Sequence, residues 1–213
     1  MQFLAQEYRE LKYFVTDNYQ VIIVLGLATL SLTMQWYRPI GSSLALSYIF
    51  YFILLPVLTI RFVLKDNPLH YGFALGNYRI WLYYVLITVI ISVPVLLIGA
   101  KFTAVYKYYG KGFSYYEFFC LTVPTLLAWE YLLRGFVLFG LKERFGKASI
   151  IIQMVPFVLL HLGKPEVETL SCIITGLWFG WIAYRGKSFW PTFLIHVFIN
   201  FFIKYFLNFQ NFL

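Results

Sequence analysis

Apolar residues run along this chain in long blocks separated by short polar turns, and block length is the first guide to its architecture. The opening stretch, Met1–Asn18, differs from the rest. Phe3/Leu4, Tyr8, Leu11 and Phe14/Val15 recur at helical spacing opposite Glu7, Arg9, Glu10 and Lys12, the pattern of an amphipathic helix lying in a membrane interface. Membrane spans are then predicted over Tyr19–Tyr37, closed by Arg38 and Pro39, and over Gly41–Ile60, which Pro56 should kink. Arg61–Arg79 reads as a loop turning at Asp66-Asn67-Pro68. A third span, Ile80–Ala100, is free of charge, and Lys101–Glu117 is a Tyr- and Lys-rich interfacial connection. The fourth span is Phe118–Leu141. After the short basic turn Lys142–Lys147, three shorter blocks follow: Ala148–Leu162, Thr169–Tyr184 and Ser188–Ile203. Blocks below about 20 residues span only when packed among other helices or lining a wet cavity. The pattern therefore predicts an all-α, polytopic membrane bundle of about seven transmembrane helices, forming one membrane-embedded domain over residues 1–213.

Composition agrees and removes other classes. Of 213 residues, 61% are hydrophobic and only 12% charged, more apolar surface than a soluble domain can hide. The net charge of +8 is scattered through short loops, which suits contact with membrane headgroups and not nucleic-acid binding. Ten basic residues on the N-terminal side's loops against six on the other favour a cytoplasmic N-terminus. No cleavable signal peptide is expected, for want of a basic leader and a small-residue cleavage site. Cys120 and Cys172 lack metal-ligand spacing and are expected to be small buried residues.

The chemistry concentrates in the apolar blocks. Glu130 and Arg134 lie in the middle of the fourth span, each costing at least about 2.5 kcal/mol on insertion scales unless compensated. At i and i+4 they share a helix face and can pair, and Gly135 permits close approach of another backbone. A structural ion pair would look the same, so the decision rests on the other polar groups. His161 ends the fifth block, and His196 and Asn200 share a face of the seventh; His70, in the loop, reads as a solvated surface residue. Counting ~1.5 Å per residue from turns on one side of the membrane puts Glu130 at roughly 18 Å, His161 at roughly 21 Å, His196 at roughly 14 Å and Asn200 at roughly 20 Å. Carboxylate, imidazoles and carboxamide at similar depth are what water activation and oxyanion stabilisation require.

These blocks resemble the CAAX prenyl protease and bacteriocin-processing (CPBP, or Abi) family of intramembrane proteases. Its motifs Glu-Glu-x-x-x-Arg, Phe-x-x-x-His and His-x-x-x-Asn have counterparts here in Trp129-Glu130-x-x-x-Arg134, Phe157-x-x-x-His161 and His196-x-x-x-Asn200, over residues 117–201. The resemblance implies an intramembrane endopeptidase in the plasma membrane of a prokaryote, acting on membrane-associated or lipidated peptides. One position departs: the first glutamate of the pair is Trp129. Glu130 is then expected to activate water with His161, while His196 and Asn200 hold the oxyanion and Arg134 orients Glu130. Glu168 is a reserve base, although a carboxylate opening a helix is ordinarily a cap. A zinc shell of Glu130, His161 and His196 is the competing chemistry. No compact His-x-x-x-His pair supports it, and the metal-independent reading is preferred. The alternative is a catalytically inactive scaffold or immunity protein, for which Trp129 is the best argument.

Overall fold

A computed structural model describes residues 1–41 and 43–209 of the chain. Ser42, within the span expected over Gly41–Ile60, and residues 210–213 of the expected domain lie outside the described residues. The described chain is mostly helical: α1 Gln2–Asp17, α2 Tyr19–Tyr37, α3 Leu44–Val63, α4 Tyr78–Gly99, α5 Thr103–Tyr109, α6 over 115–145, α7 Ser149–Leu159, α8 Glu166–Gly186 and α9 Trp190–Phe209.

 Among the described residues, six stretches are long and apolar enough to cross a membrane, so the all-α polytopic bundle is what the chain forms. The count of seven is not reproduced. Tyr115–Leu159 is one of the six, and it doubles back where Gly146, at φ +52°, opens a short 3-10 turn. Its returning arm, Ser149–Leu159, has 11 residues, about 16 Å of helix against a hydrocarbon layer about 30 Å thick. That arm stops partway along the bundle, and His161 lies just beyond its end.

The boundaries of three other helices also move. Helix α3 runs on to Val63, taking Arg61 from the expected loop. Its Pro56 lacks an N–H, and widened π-type turns at Phe50–Leu54 and Thr59–Val63 flank it. Helices α8 and α9 have 21 and 20 residues and are full-length, not short. Polar residues extend α9 because they find partners: Lys204 Nζ donates to Thr122 Oγ1 (3.4 Å) and Asn208 Nδ2 to the Tyr109 carbonyl (2.9 Å). Helix α1 buries none of its residues, as an interfacial helix requires. Cys172 is buried as expected; Cys120 is exposed, on a turn of α6 where Phe119 and Leu121 are exposed too.

The centre of the bundle is α6. In its most apolar window 67% of residues are buried, against 6% for α4, so α6 is wrapped by other helices while α4 presents its sides to lipid. Residues Leu132, Leu133, Phe136 and Val137 of α6 join Val24 and Ala28 of α2, Phe52 and Ile60 of α3, and Phe157 of α7 in one core. Helix α7 in turn packs closely on α8 across Gly176 and Gly180, two small residues four apart on one face. Gln153 fits into that seam and donates to the carbonyl of Gly176 (2.8 Å). A Cβ on Gly176 would stand 2.9 Å from Met154 Cγ and from Phe157 Cδ1. Gly176→Val is therefore expected to cost about 1–3 kcal/mol through overpacking, read as a lower melting temperature of the purified protein in detergent.

Candidate functional site

Glu130 sits at the end of an α-helical turn of α6, where the backbone passes into a wider π-type segment over Tyr131–Val137. Such segments recur at functional sites because they re-aim side chains within a helix. Here Glu130 and Arg134, both fully buried, still meet: Arg134 Nη1 donates to Glu130 Oε1 at 3.1 Å. The same oxygen accepts a second hydrogen bond, from His196 Nδ1 at 2.7 Å. Glu130 Oε2 has no side-chain or backbone partner.

That pairing decides the tautomer of His196. A carboxylate can only accept, so Nδ1 carries the proton, and whenever the ring is neutral Nε2 holds the lone pair. His161 reaches the same state by a different contact, because its Nδ1 lies 2.8 Å from the carbonyl oxygen of Phe157, which also only accepts. The two imidazoles are nearly parallel, 18° apart, with centroids 6.1 Å from each other. Both are buried. Two Nε2 acceptors are thus fixed in one region by backbone and carboxylate contacts.

Arg134 is held by aromatic faces as well as by charge. Its Cζ lies 3.9 Å from the Phe157 ring centroid and 5.3 Å from that of Phe179, while Nε and Nη2 have no hydrogen-bond partner. Cation–π attraction is strongest in such a desolvated position. The Phe157 ring also meets His161 (4.5 Å) and His196 (5.9 Å), and Phe179 meets His196 (6.0 Å). Phe179 was missing from the sequence-level site, as was Thr192, whose hydroxyl is buried beside Glu130 and donates to the Phe189 carbonyl at 2.8 Å. Thr192 lies four residues before His196 on the same helix face, and that spacing was the available signal.

Asn200, one turn beyond His196, is buried and donates from Nδ2 to the His196 carbonyl (3.1 Å). An amide nitrogen carries two protons, so one remains free to donate. No direct hydrogen bond joins Glu130 to His161, whose Nδ1 is engaged by the Phe157 carbonyl. Trp129, not a carboxylate, stands against His161, with ring centroids 5.6 Å apart, and its other side meets Tyr48 at 5.9 Å.

Glu168 opens α8 but makes no side-chain cap bond; the N-cap residue is Pro165. Its carboxylate accepts from the Tyr109 hydroxyl (2.7 and 2.8 Å to the two oxygens) and from Lys164 Nζ (2.9 Å). Burial, and next the Glu168 charge, push the Tyr109 phenol well above its usual range, so it stays a donor. Lys164 Nζ lies 5.9 Å from the centroid of Trp129, which puts Glu168 one side chain removed from the indole. His70 is exposed and pairs with Asp66 in the loop, away from these groups, as expected.

The three side chains considered for zinc do not converge as a ligand set. Glu130 meets His196 on Nδ1, the ring edge opposite the free Nε2, and among the described residues no three His, Cys, Asp or Glu groups are arranged to hold a metal ion. In such a contact a carboxylate orients a histidine instead of sharing its ligand.

Residues 111–202 match the model of a protein family described as Type II CAAX prenyl endopeptidase Rce1-like. No curated protein and no solved structure matches the chain. The matched segment runs from just before α6 into α9 and contains Glu130, Arg134, His161, Thr192, His196 and Asn200.

Proposed function

We propose that this chain, which matches the Rce1-like CAAX endopeptidase model over residues 111–202, hydrolyses a peptide bond of a membrane-associated or lipidated substrate within the bilayer. The observation that carries the reading is the Glu130–His196 contact, a buried carboxylate on Nδ1 of an imidazole whose Nε2 is free. Glu130 orients that ring and stabilises the imidazolium form, much as the acid of a hydrolase triad does. His196 Nε2 takes a proton from water as the water oxygen bonds to the scissile carbonyl carbon. His196 then gives that proton to the departing amine nitrogen as the C–N bond breaks. His161 Nε2 accepts from the second hydrogen of the same water and fixes its direction. The free N–H of Asn200 supports the carbonyl oxygen as negative charge develops on it. Arg134 is a positioning residue, holding Glu130 from the side away from the water.

This assignment differs from the expected one. Glu130 acts through His196 instead of on water with His161, because Trp129 occupies the flank of His161. Glu168 is assigned to the Tyr109–Lys164 tie, and zinc is given no step. We place the protein in the plasma membrane of a prokaryote on the family resemblance alone, and orient its N-terminus to the cytoplasm on the ten-to-six bias of basic residues expected at the two sides of the membrane.

The test is cleavage of membrane-anchored peptides, lipidated and unlipidated, by the purified protein in detergent with and without a chelator. Cleavage that persists in chelator is expected. Loss of cleavage on chelation, with recovery on adding zinc, would refute the metal-independent assignment. A second reading, an inactive relative, is favoured by the indole beside His161. Trp129→Glu separates the two. On the main reading it alters an enzyme that already cuts, whereas on the second it creates cleavage where the natural chain has none.

A further inference from the structure

Away from the buried cluster, at the end of the bundle where the turns 146–148 and 186–189 lie, basic side chains from separate elements gather around aromatic rings. Lys142, on the last turns of α6, holds its Nζ 4.5 Å from the Tyr184 ring centroid and 5.5 Å from that of Phe139. Lys147 Nζ, in the turn, and Arg185 Cζ, at the end of α8, each lie 5.7 Å from the centroid of Trp181, so they are within twice that distance of each other. Lys187 follows in a left-handed conformation at φ +53°. None of these four cations forms a salt bridge among the described residues. The acidic side chain on the same turn of α6, Glu143, is exposed and takes no part in an ion pair; Asp17 is engaged by Arg144.

Like charges gathered at one place repel unless an anion lies among them. The position of this group at the ends of membrane helices, ringed by Trp181 and Tyr184, is where lipid headgroups meet a membrane protein. A favourable interaction of cations with the C-terminal end of α8 explains Arg185 and Lys187, but not Lys142 and Lys147, which come from other elements. We propose that Lys142, Lys147 and Arg185 form a binding site for the phosphate of an anionic phospholipid, whose acyl chains pass down the lipid-facing side of α7 and α8. Exposed Ile151, Val155, Ile173, Ile174 and Leu177 supply that apolar surface. The site is independent of the proposed hydrolysis.

Native mass spectrometry of the full chain in neutral detergent, titrated with phosphatidylglycerol or phosphatidylcholine, reads the site directly. Preferential retention of phosphatidylglycerol is expected. Each cation removed should weaken that retention by about fivefold. Lys142→Gln/Lys147→Gln/Arg185→Gln should abolish the preference, while Lys101→Gln/Lys107→Gln/Lys111→Gln, with the same loss of charge elsewhere, should keep it. The single variant Lys147→Gln, at an exposed position, gives a partial loss and keeps the test available if the triple variant folds poorly. Equal retention of both lipids by the natural chain would overturn the proposal, as would an equal loss in the two triple variants. Displacement of the lipid by the same concentration of inorganic phosphate would also overturn it, since the site would then recognise the free anion.

Discussion

His196→Gln is expected to lower the rate of peptide cleavage about 10²–10⁴-fold while leaving the protein folded. Glutamine keeps an N–H that can reach Glu130 Oε1, which His196 Nδ1 contacts at 2.7 Å, so the buried carboxylate retains a second donor. What it lacks is a basic nitrogen lone pair that can take a proton from water. The loss should therefore fall on kcat, with KM little changed, because an interaction made in the transition state has been removed. Initial rates over a range of substrate concentrations, beside a melting curve of the same preparation, check both halves of the expectation. A variant with undiminished kcat would remove His196 from the chemistry.

Arg134→Leu should act on stability first. Glu130 would remain as a buried carboxylate whose partner cation is gone, a change that typically costs about 3–5 kcal/mol. Phe157 and Phe179 would lose the guanidinium between their rings, and Phe157 in turn carries the carbonyl that fixes His161. Arg134→Lys should recover little, because an ammonium group has neither the flat face that stacks on Phe157 nor the fork that reaches a carboxylate. Glu130→Gln/Arg134→Leu should recover much of the stability, since both charges leave together. Thermal melting in detergent would separate these variants, and a double variant no more stable than Arg134→Leu would show that the pair is not the source of the loss.

The sequence carried more of this architecture than of its connections. Charge-free blocks between basic turns identified the spans because lipid leaves few alternatives to long apolar helices. The exceptions have local causes: Lys204 and Asn208 looked like the end of α9, but each has a partner on a neighbouring element. The short α7 looked like a span because its residues are apolar; only its depth and its abrupt end, neither visible in composition, set it apart. Likewise, i and i+4 spacing found the Glu130–Arg134 pair, and helix depth brought Glu130, His161, His196 and Asn200 into one neighbourhood. Rotation of the helices about their axes was not available from spacing. That rotation turns Glu130 toward His196 and leaves Trp129 facing His161. The spacing of Gly176 and Gly180 went unused, because a single GxxxG spacing does not name the helix it packs against.

The central claim is that Glu130 acts through His196, and a double-mutant cycle in the cleavage assay tests it most directly. Glu130→Gln, His196→Gln and the combined variant would be compared with the natural chain, each with a melting curve to establish that it is folded. If Glu130 serves only to orient His196, the combined variant should be no slower than His196→Gln alone. Losses that multiply, leaving the combined variant slower by the product of the two single effects, would mean that Glu130 reaches the reacting water independently and would contradict the claim.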